Sequence, residues 1–111
     1  MTGDEIIIVN SQDDGKEVKT KVGDIIQIEL ESLGSAGYQW FIENLDVNYL
    51  ELLSEETEPI ADKELIGAPV MHIWRFKILE RGLTDIRMSH YRVWEGKEKA
   101  TEHFHIKLTI N

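Results

Sequence analysis

The sequence predicts an all-β fold, an antiparallel sandwich of about seven short strands. Three observations lead there. Apolar residues recur mostly at every second position, the spacing that puts alternate side chains on one face of a strand. Turn signals such as Asp13-Asp14-Gly15, Gly23-Asp24 and Glu80-Arg81-Gly82 separate the apolar runs. No stretch carries a convincing helical period, and no repeat or low-complexity segment competes. At 111 residues and 41% hydrophobic content, the chain has room for a single domain over residues 1–111 with one core, since single domains run to about 100–150 residues. It has no cysteine, so that core has to supply the stability without disulfides.

Taken in order, residues 5–10 and 17–21 read as two short strands meeting across Asp13-Asp14-Gly15, a turn whose glycine accepts positive φ at little cost. Residues 24–31 form a half-buried strand: Ile26, Ile28 and Leu30 face inward, and Gln27, Glu29 and Glu31 face water. Tyr38-Gln39-Trp40 begins the next strand with both aromatics on one face, the usual placing of core residues. The segment 45–58 is acidic and irregular, and Tyr49-Leu50-Glu51-Leu52-Leu53 fits either a strand or a helical turn. In 70–79, His72, Trp74, Phe76 and Ile78 share one side, with Arg75 and Lys77 on the other. Residues 83–91 alternate again through Ile86 and Met88, so these two runs read as an antiparallel hairpin. Phe104, Ile106, Leu108 and Ile110 line the inner face of the last strand.

Twelve Lys and Arg against 21 Asp and Glu give a formal charge of −9, which repels phosphate backbones and anionic lipid. Neither nucleic acid nor a membrane is an expected partner. The longest apolar run, Ile6-Ile7-Ile8-Val9, falls far short of the roughly 20 residues of a membrane helix, and acidic Asp4 and Glu5 precede it. Neither a signal peptide nor an anchor is expected within the chain. Catalysis requires a nucleophile with a base, or paired carboxylates in a cleft. The spacing offers neither, so the chain does not read as an enzyme, and no cofactor is expected. His103 and His105 share the outward face of the last strand, a spacing able to bind a metal ion, although two surface residues are the plainer reading. His72 and His90 fall on inward faces, where a hydrogen-bonded core role is expected.

Three connections carry the functional signal. Ser32-Leu33-Gly34-Ser35-Ala36-Gly37 holds two glycines among small residues, which either serve the turn or let the backbone approach another surface closely. Leu65-Ile66-Gly67-Ala68-Pro69-Val70 is again short of side-chain bulk; Pro69 suits an extended segment at a sheet margin and lacks an amide donor. Tyr91-Arg92-Val93-Trp94-Glu95-Gly96-Lys97-Glu98-Lys99 sets a tryptophan in an otherwise polar stretch. Either that ring folds over the sheet edge, or it stands out beside Arg92 with the make-up of an interface hot spot. Alternate connections of an antiparallel sandwich emerge at one end, so the three segments together would form a wedge.

In this order the segments resemble the chagasin family of cysteine peptidase inhibitors, and the likeness spans most of the chain. The family's Asn-Pro-Thr-Thr-Gly followed by Tyr-x-Trp lies over Leu33-Gly34-Ser35-Ala36-Gly37 and Tyr38-Gln39-Trp40, matching at the glycine, tyrosine and tryptophan. Gly-x-Gly-Gly lies over Gly67-Ala68-Pro69-Val70, where the first glycine is kept. Arg-Pro-Trp lies over Arg92-Val93-Trp94, with Glu95-Gly96 continuing the pattern. The resemblance implies an immunoglobulin-like sandwich that reversibly occludes the cleft of a papain-like cysteine peptidase. Leu33, Gly34, Ser35, Ala36 and Gly37 would then cover the catalytic centre; Gly67, Ala68, Pro69 and Val70 would pair by backbone along the non-primed side; Arg92, Val93 and Trp94 would cover the primed side. Ala36 forfeits a hydroxyl that the family carries, and a hydrogen bond lost from a buried interface costs about 1–3 kcal/mol. A monomer is the expected state. The competing reading is an immunoglobulin-like interaction or adhesion module whose partner is not a peptidase.

Overall fold

Period-two alternation reappears as two sheets that bury their apolar faces against each other. The computed structural model describes residues 4–32, 37–60 and 69–111. Its strands are β1 (Ile6–Asn10), β2 (Glu17–Thr20), β3 (Ile25–Ser32), β4 (Tyr38–Glu43), β5 (Leu50–Pro59), β6 (Val70–Ile78), β7 (Gly82–Arg92) and β8 (Glu102–Ile110). The first sheet has the order β1-β3-β6-β5 and the second β2-β8-β7-β4. Ile26, Ile28 and Leu30 of β3 and Trp74, Phe76 and Ile78 of β6 are buried against Ile86 and Met88 of β7 and Phe104, Ile106 and Leu108 of β8. Each such side chain stabilises the fold by about 1.5–3 kcal/mol through the area it removes from water.

Two expected hairpins are absent. β1 and β2 do not meet: β1 pairs in parallel with β3, Ile7 beside Ile26, and β2 in parallel with β8, Val18 beside Leu108. The cause lies in the turn between them. Asn10 Oδ1 accepts from the Gln12 amide and Asp13 Oδ2 from the Asn10 amide, both at 2.9 Å, which closes a single 3-10 turn at Ser11–Asp13. The Gly15 amide then donates to the His105 carbonyl at 2.6 Å, and Asp14 Oδ1 accepts from the His105 amide at 2.8 Å. The turn therefore docks on β8 and carries the chain from one sheet to the other.

The same holds between β6 and β7. β6 pairs with β3 and β5, whereas β7 pairs with β4 and β8. Gly82, at φ 137°, lies where a Cβ would stand 2.9 Å from the Tyr49 ring, so the crossing chain packs tightly there. Central pairings are antiparallel as expected, and the two parallel pairings sit at the sheet margins.

The stretch Tyr49–Leu53, open between strand and helical turn, is strand from Leu50 onward, entered from a single turn at 46–49. The Asp46 carbonyl accepts from the Tyr49 and Leu50 amides at 3.1 and 2.9 Å, and the chain then extends as β5 along β6. At the opening of β3, buried Asp24 accepts from the Glu5 amide at 3.2 Å and the Lys21 amide at 2.9 Å, tying β1 to the start of β3.

Candidate functional site

Strand register decides which connections share an end of the sandwich. Ser32, the last residue of β3, faces Val70, the first of β6, and Val70 also faces Pro59 at the end of β5. In the other sheet Tyr38, the first residue of β4, faces Arg92, the last of β7. Among the described residues, hydrogen bonds cross between the sheets at this end: Trp40 Nε1 donates to the Glu31 carbonyl at 3.0 Å, and Ser32 Oγ lies 3.1 Å from His90 Nε2. All three expected loops therefore leave from one end.

Leu33, Gly34, Ser35, Ala36, Gly67 and Ala68 lie outside the described residues. Pro69 and Val70 form the stem of the second connection. The Pro69 carbonyl accepts from the Ile60 amide at 3.4 Å, and Val70 is flanked by strands on both sides, so its backbone belongs to the sheet.

The third connection is built around Arg92. Its carbonyl accepts from the Glu95 and Gly96 amides at 3.0 and 3.1 Å, a tight turn that projects Val93 and Trp94 outward, 68% and 67% exposed. Behind the turn Lys97 pairs with Glu43, which also accepts the Ser89 hydroxyl. Lys97 first, and then the Ser89 hydroxyl, hold the Glu43 carboxyl below its ordinary value against a smaller opposing effect of burial. This pins the far side of the connection to β4.

Although exposed to water, the Trp94 ring packs on the backbone of Gly37. A Cβ on that glycine would overlap the indole, with Cζ3 at 2.7 Å and Cζ2 at 3.0 Å. Gly37 also sits at φ +82°, in the left-handed region that residues with a Cβ rarely adopt. The residue that closes the first connection thus supports the most exposed aromatic of the third.

Below this contact lies a layered stack. The Arg92 guanidinium carbon sits 4.5 Å from the Tyr38 ring centroid, Tyr38 stacks on His90 at 5.4 Å, and His90 meets Trp40 at 5.0 Å. Among the described residues Arg92 Nε is buried without a hydrogen-bond partner, with a Glu95 carboxylate oxygen at 3.5 Å. Cation–π attraction of this kind contributes about 0.5–2 kcal/mol. The stack holds the arginine side chain against the sandwich rather than leaving it to sweep through solvent.

With this geometry in place, comparison with known proteins gives the family. The model of the chagasin family peptidase inhibitor I42 matches residues 19–108. The chain belongs to the chagasin family. It is accordingly an inhibitor of cysteine peptidases and not an enzyme. Amoebiasin-2 of Entamoeba histolytica is 32% identical over 95 residues, covering 84% of this chain and 76% of that protein. Among solved structures, the cysteine protease inhibitor EhICP2 from Entamoeba histolytica superposes with a TM-score of 0.86 at 23% identity, covering 96% of both chains. PbICP-C, solved in complex with falcipain-2, gives a TM-score of 0.60 at 20% identity, covering 95% of this chain and 99% of its own. The sandwich is thus the immunoglobulin-like fold of chagasin-type inhibitors.

The structure brings Gly37, Arg92, Val93 and Trp94 to one end, beside the stem residues Pro69 and Val70. Two contributors are not evident from the sequence. Tyr38 is not simply core, since it is half-buried beneath Arg92. His90, expected as a hydrogen-bonded core residue, is one, yet it also joins the two sheets directly under the connections. Tyr38 and Trp40, and His90 and Arg92, alternate on inner faces, but the β4–β7 register alone reveals that the pairs interleave. His103 and His105 are engaged by Ser89 Oγ at 3.1 Å and Asp85 Oδ2 at 2.9 Å. Among the described residues no three His, Asp or Glu side chains are grouped to hold a metal ion.

Proposed function

We propose that this protein inhibits papain-like cysteine peptidases by reversible occlusion, seating the connections at 33–37, 67–70 and 92–94 in the active-site cleft. The observation that carries this reading is Trp94: 67% exposed, supported from behind by Gly37 and flanked by an arginine held on Tyr38. A large ring kept in water on a rigid backing loses little conformational freedom on binding, which is what makes such residues hot spots. Gly37, without a side chain, lets the neighbouring backbone approach the catalytic centre. Arg92 and Trp94 would pack on the primed side, and Gly67 to Pro69 would lie along the non-primed side, with Val70 anchoring them. PbICP-C bound to falcipain-2 offers a precedent for a protein of this fold meeting a peptidase.

Steady-state inhibition of papain with a fluorogenic peptide tests the proposal. The wild-type chain should inhibit competitively and lose no potency through cleavage. Trp94→Ala should raise Ki about 30-fold or more, the equivalent of a hot-spot loss of about 2 kcal/mol, with an unchanged thermal unfolding curve. Equal Ki values for the two proteins would remove the third connection from the mechanism.

A further inference from the structure

Beneath the connections lies a buried titratable group that inhibition as described does not use. His90 is 6% exposed and is held by groups from both sheets. Its Nε2 lies 3.1 Å from Ser32 Oγ of β3, and its Nδ1 lies 3.2 Å from Thr101 Oγ1, just ahead of β8. Its ring is packed between Tyr38 and Trp40 of β4. Among the described residues two charged groups face this cluster: the Glu102 carboxylate, 3.4 Å from Nδ1, and the Arg92 guanidinium on the far side of the Tyr38 ring. Ser32 is the root of the first connection on one sheet, and Tyr38 and Arg92 are the roots of the first and third on the other. His90 touches or underlies all of them.

The Glu102 carboxylate, an acceptor only, lies 3.4 Å from Nδ1, and the Thr101 hydroxyl, 3.2 Å from Nδ1 and 3.3 Å from the His90 carbonyl, can accept there as well. These neighbours favour the ring proton on Nδ1 and leave Nε2 as the acceptor facing Ser32 Oγ at 3.1 Å. A second proton would then arrive at Nε2, the atom that makes the bond between the sheets. Ser32 Oγ would meet a donor there in place of an acceptor. The new cation would also face the Tyr38 ring, whose other face already carries Arg92, and Glu102 would offset that repulsion from one side.

We propose that His90, in its neutral form, is the positioning residue that holds the roots of the first and third connections in the arrangement that binds the peptidase, and that protonation at Nε2 loosens it. The direction agrees with burial, which pushes the His90 imidazole below its ordinary value and outweighs the opposite pull of Glu102. Neutral His90 is thus the form this fold prefers, and the arrangement weakens on acidification. This inference rests on the inhibitory reading above for its effect on affinity, but not for its effect on the free protein.

Two readouts separate the ideas. The free wild-type chain, His90→Gln and His90→Phe are followed by 1H–15N NMR from pH 8 to pH 4. Each is also titrated against papain at pH 7.5, 6 and 4.5. In the wild type, the Gly37 amide and the Trp94 indole resonances should move with the midpoint of the His90 ring, and in His90→Gln they should not. At pH 7.5 His90→Phe, which keeps a ring but loses both hydrogen bonds, should inhibit about tenfold more weakly, whereas His90→Gln should stay within about threefold of the wild type. The ratio of wild-type to His90→Gln Ki cancels papain's own titration and should rise several-fold as the pH falls to 4.5. A flat ratio, or Gly37 and Trp94 signals that ignore the His90 midpoint, overturns the proposal and leaves His90 a packing residue. Coupled NMR shifts in a chain that never inhibits papain would support the link between the connections and overturn the inhibitory reading instead.

Discussion

Replacing Gly37 with alanine attacks the contact that joins the first and third connections. Two penalties follow from the geometry. At φ +82° an alanine sits in the left-handed region, which costs about 1–2 kcal/mol for a residue with a Cβ. The new methyl would also overlap the Trp94 indole, so the ring has to leave its seat. Backbone strain lowers stability, and a domain of this size should lose roughly 5–10 °C in Tm. Ring displacement weakens inhibition, by about tenfold or more if Trp94 is a hot spot.

A double-mutant cycle with Trp94→Ala, read out as Ki against papain, separates the two. Once the indole is gone, Gly37→Ala should cost much less inhibition while its effect on Tm persists, giving a coupling of at least about 1 kcal/mol. Effects on Ki that add to within about 0.5 kcal/mol would refute the claim that Gly37 acts as the seat of Trp94.

Other perturbations have defined signs. Tyr38→Leu removes the ring beneath Arg92, 4.5 Å from its guanidinium carbon. It should weaken inhibition by a few-fold to about 30-fold, in line with cation–π contributions of about 0.5–2 kcal/mol, and calorimetric binding to papain would measure it. Stability should fall as the pH falls. His90, lowered from 6.5, binds fewer protons in the folded than in the unfolded chain, so its contribution is complete above pH 6.5 and declines below it. Glu43 and Asp85, lowered from 4.5 and 3.8, act in the same direction. Their contributions are present above those values and are lost as the pH drops through the depressed folded ones. For Asp85 the main cause is the hydrogen bond from Arg87, with a lesser one from His105. Urea midpoints measured from pH 8 to pH 3 should decline from about pH 6.5 and steepen below about pH 4.5, and His90→Gln should flatten the upper limb.

Much of the fold was legible because burial acts on every second residue. Ile26, Ile28 and Leu30, and Phe104, Ile106 and Leu108, showed their inner faces in the sequence, and all six are buried. Which sheet a strand joins was not legible, because period two is the same in both sheets. Asp13-Asp14-Gly15 looks like a hairpin turn until Asp14 and Gly15 are seen bonded to the His105 backbone of β8. β5 was obscured by its acids. As an edge strand it turns Glu51, Glu55, Glu56 and Glu58 to water, and a bulge between Leu52 and Ser54 breaks its alternation. At the site, Arg92 and Trp94 declared themselves as an arginine and a tryptophan in a polar stretch. The roles of Gly37 as a seat and of His90 as a link depend on contacts between residues 57 and 58 positions apart, respectively from Trp94 and Ser32, and no local pattern encodes such contacts.

If the connections at one end of the sandwich fill a peptidase cleft and leave again intact, they shield the catalytic thiol for as long as they are bound. Papain is treated with iodoacetamide at increasing concentrations of the chain, and the alkylation rate is followed. Alkylation should stop near one equivalent, dilution should restore full peptidase activity, and the chain should be recovered uncut. An alkylation rate that stays unchanged in micromolar excess of the chain, with papain and with other papain-like peptidases, would contradict occlusion of the cleft.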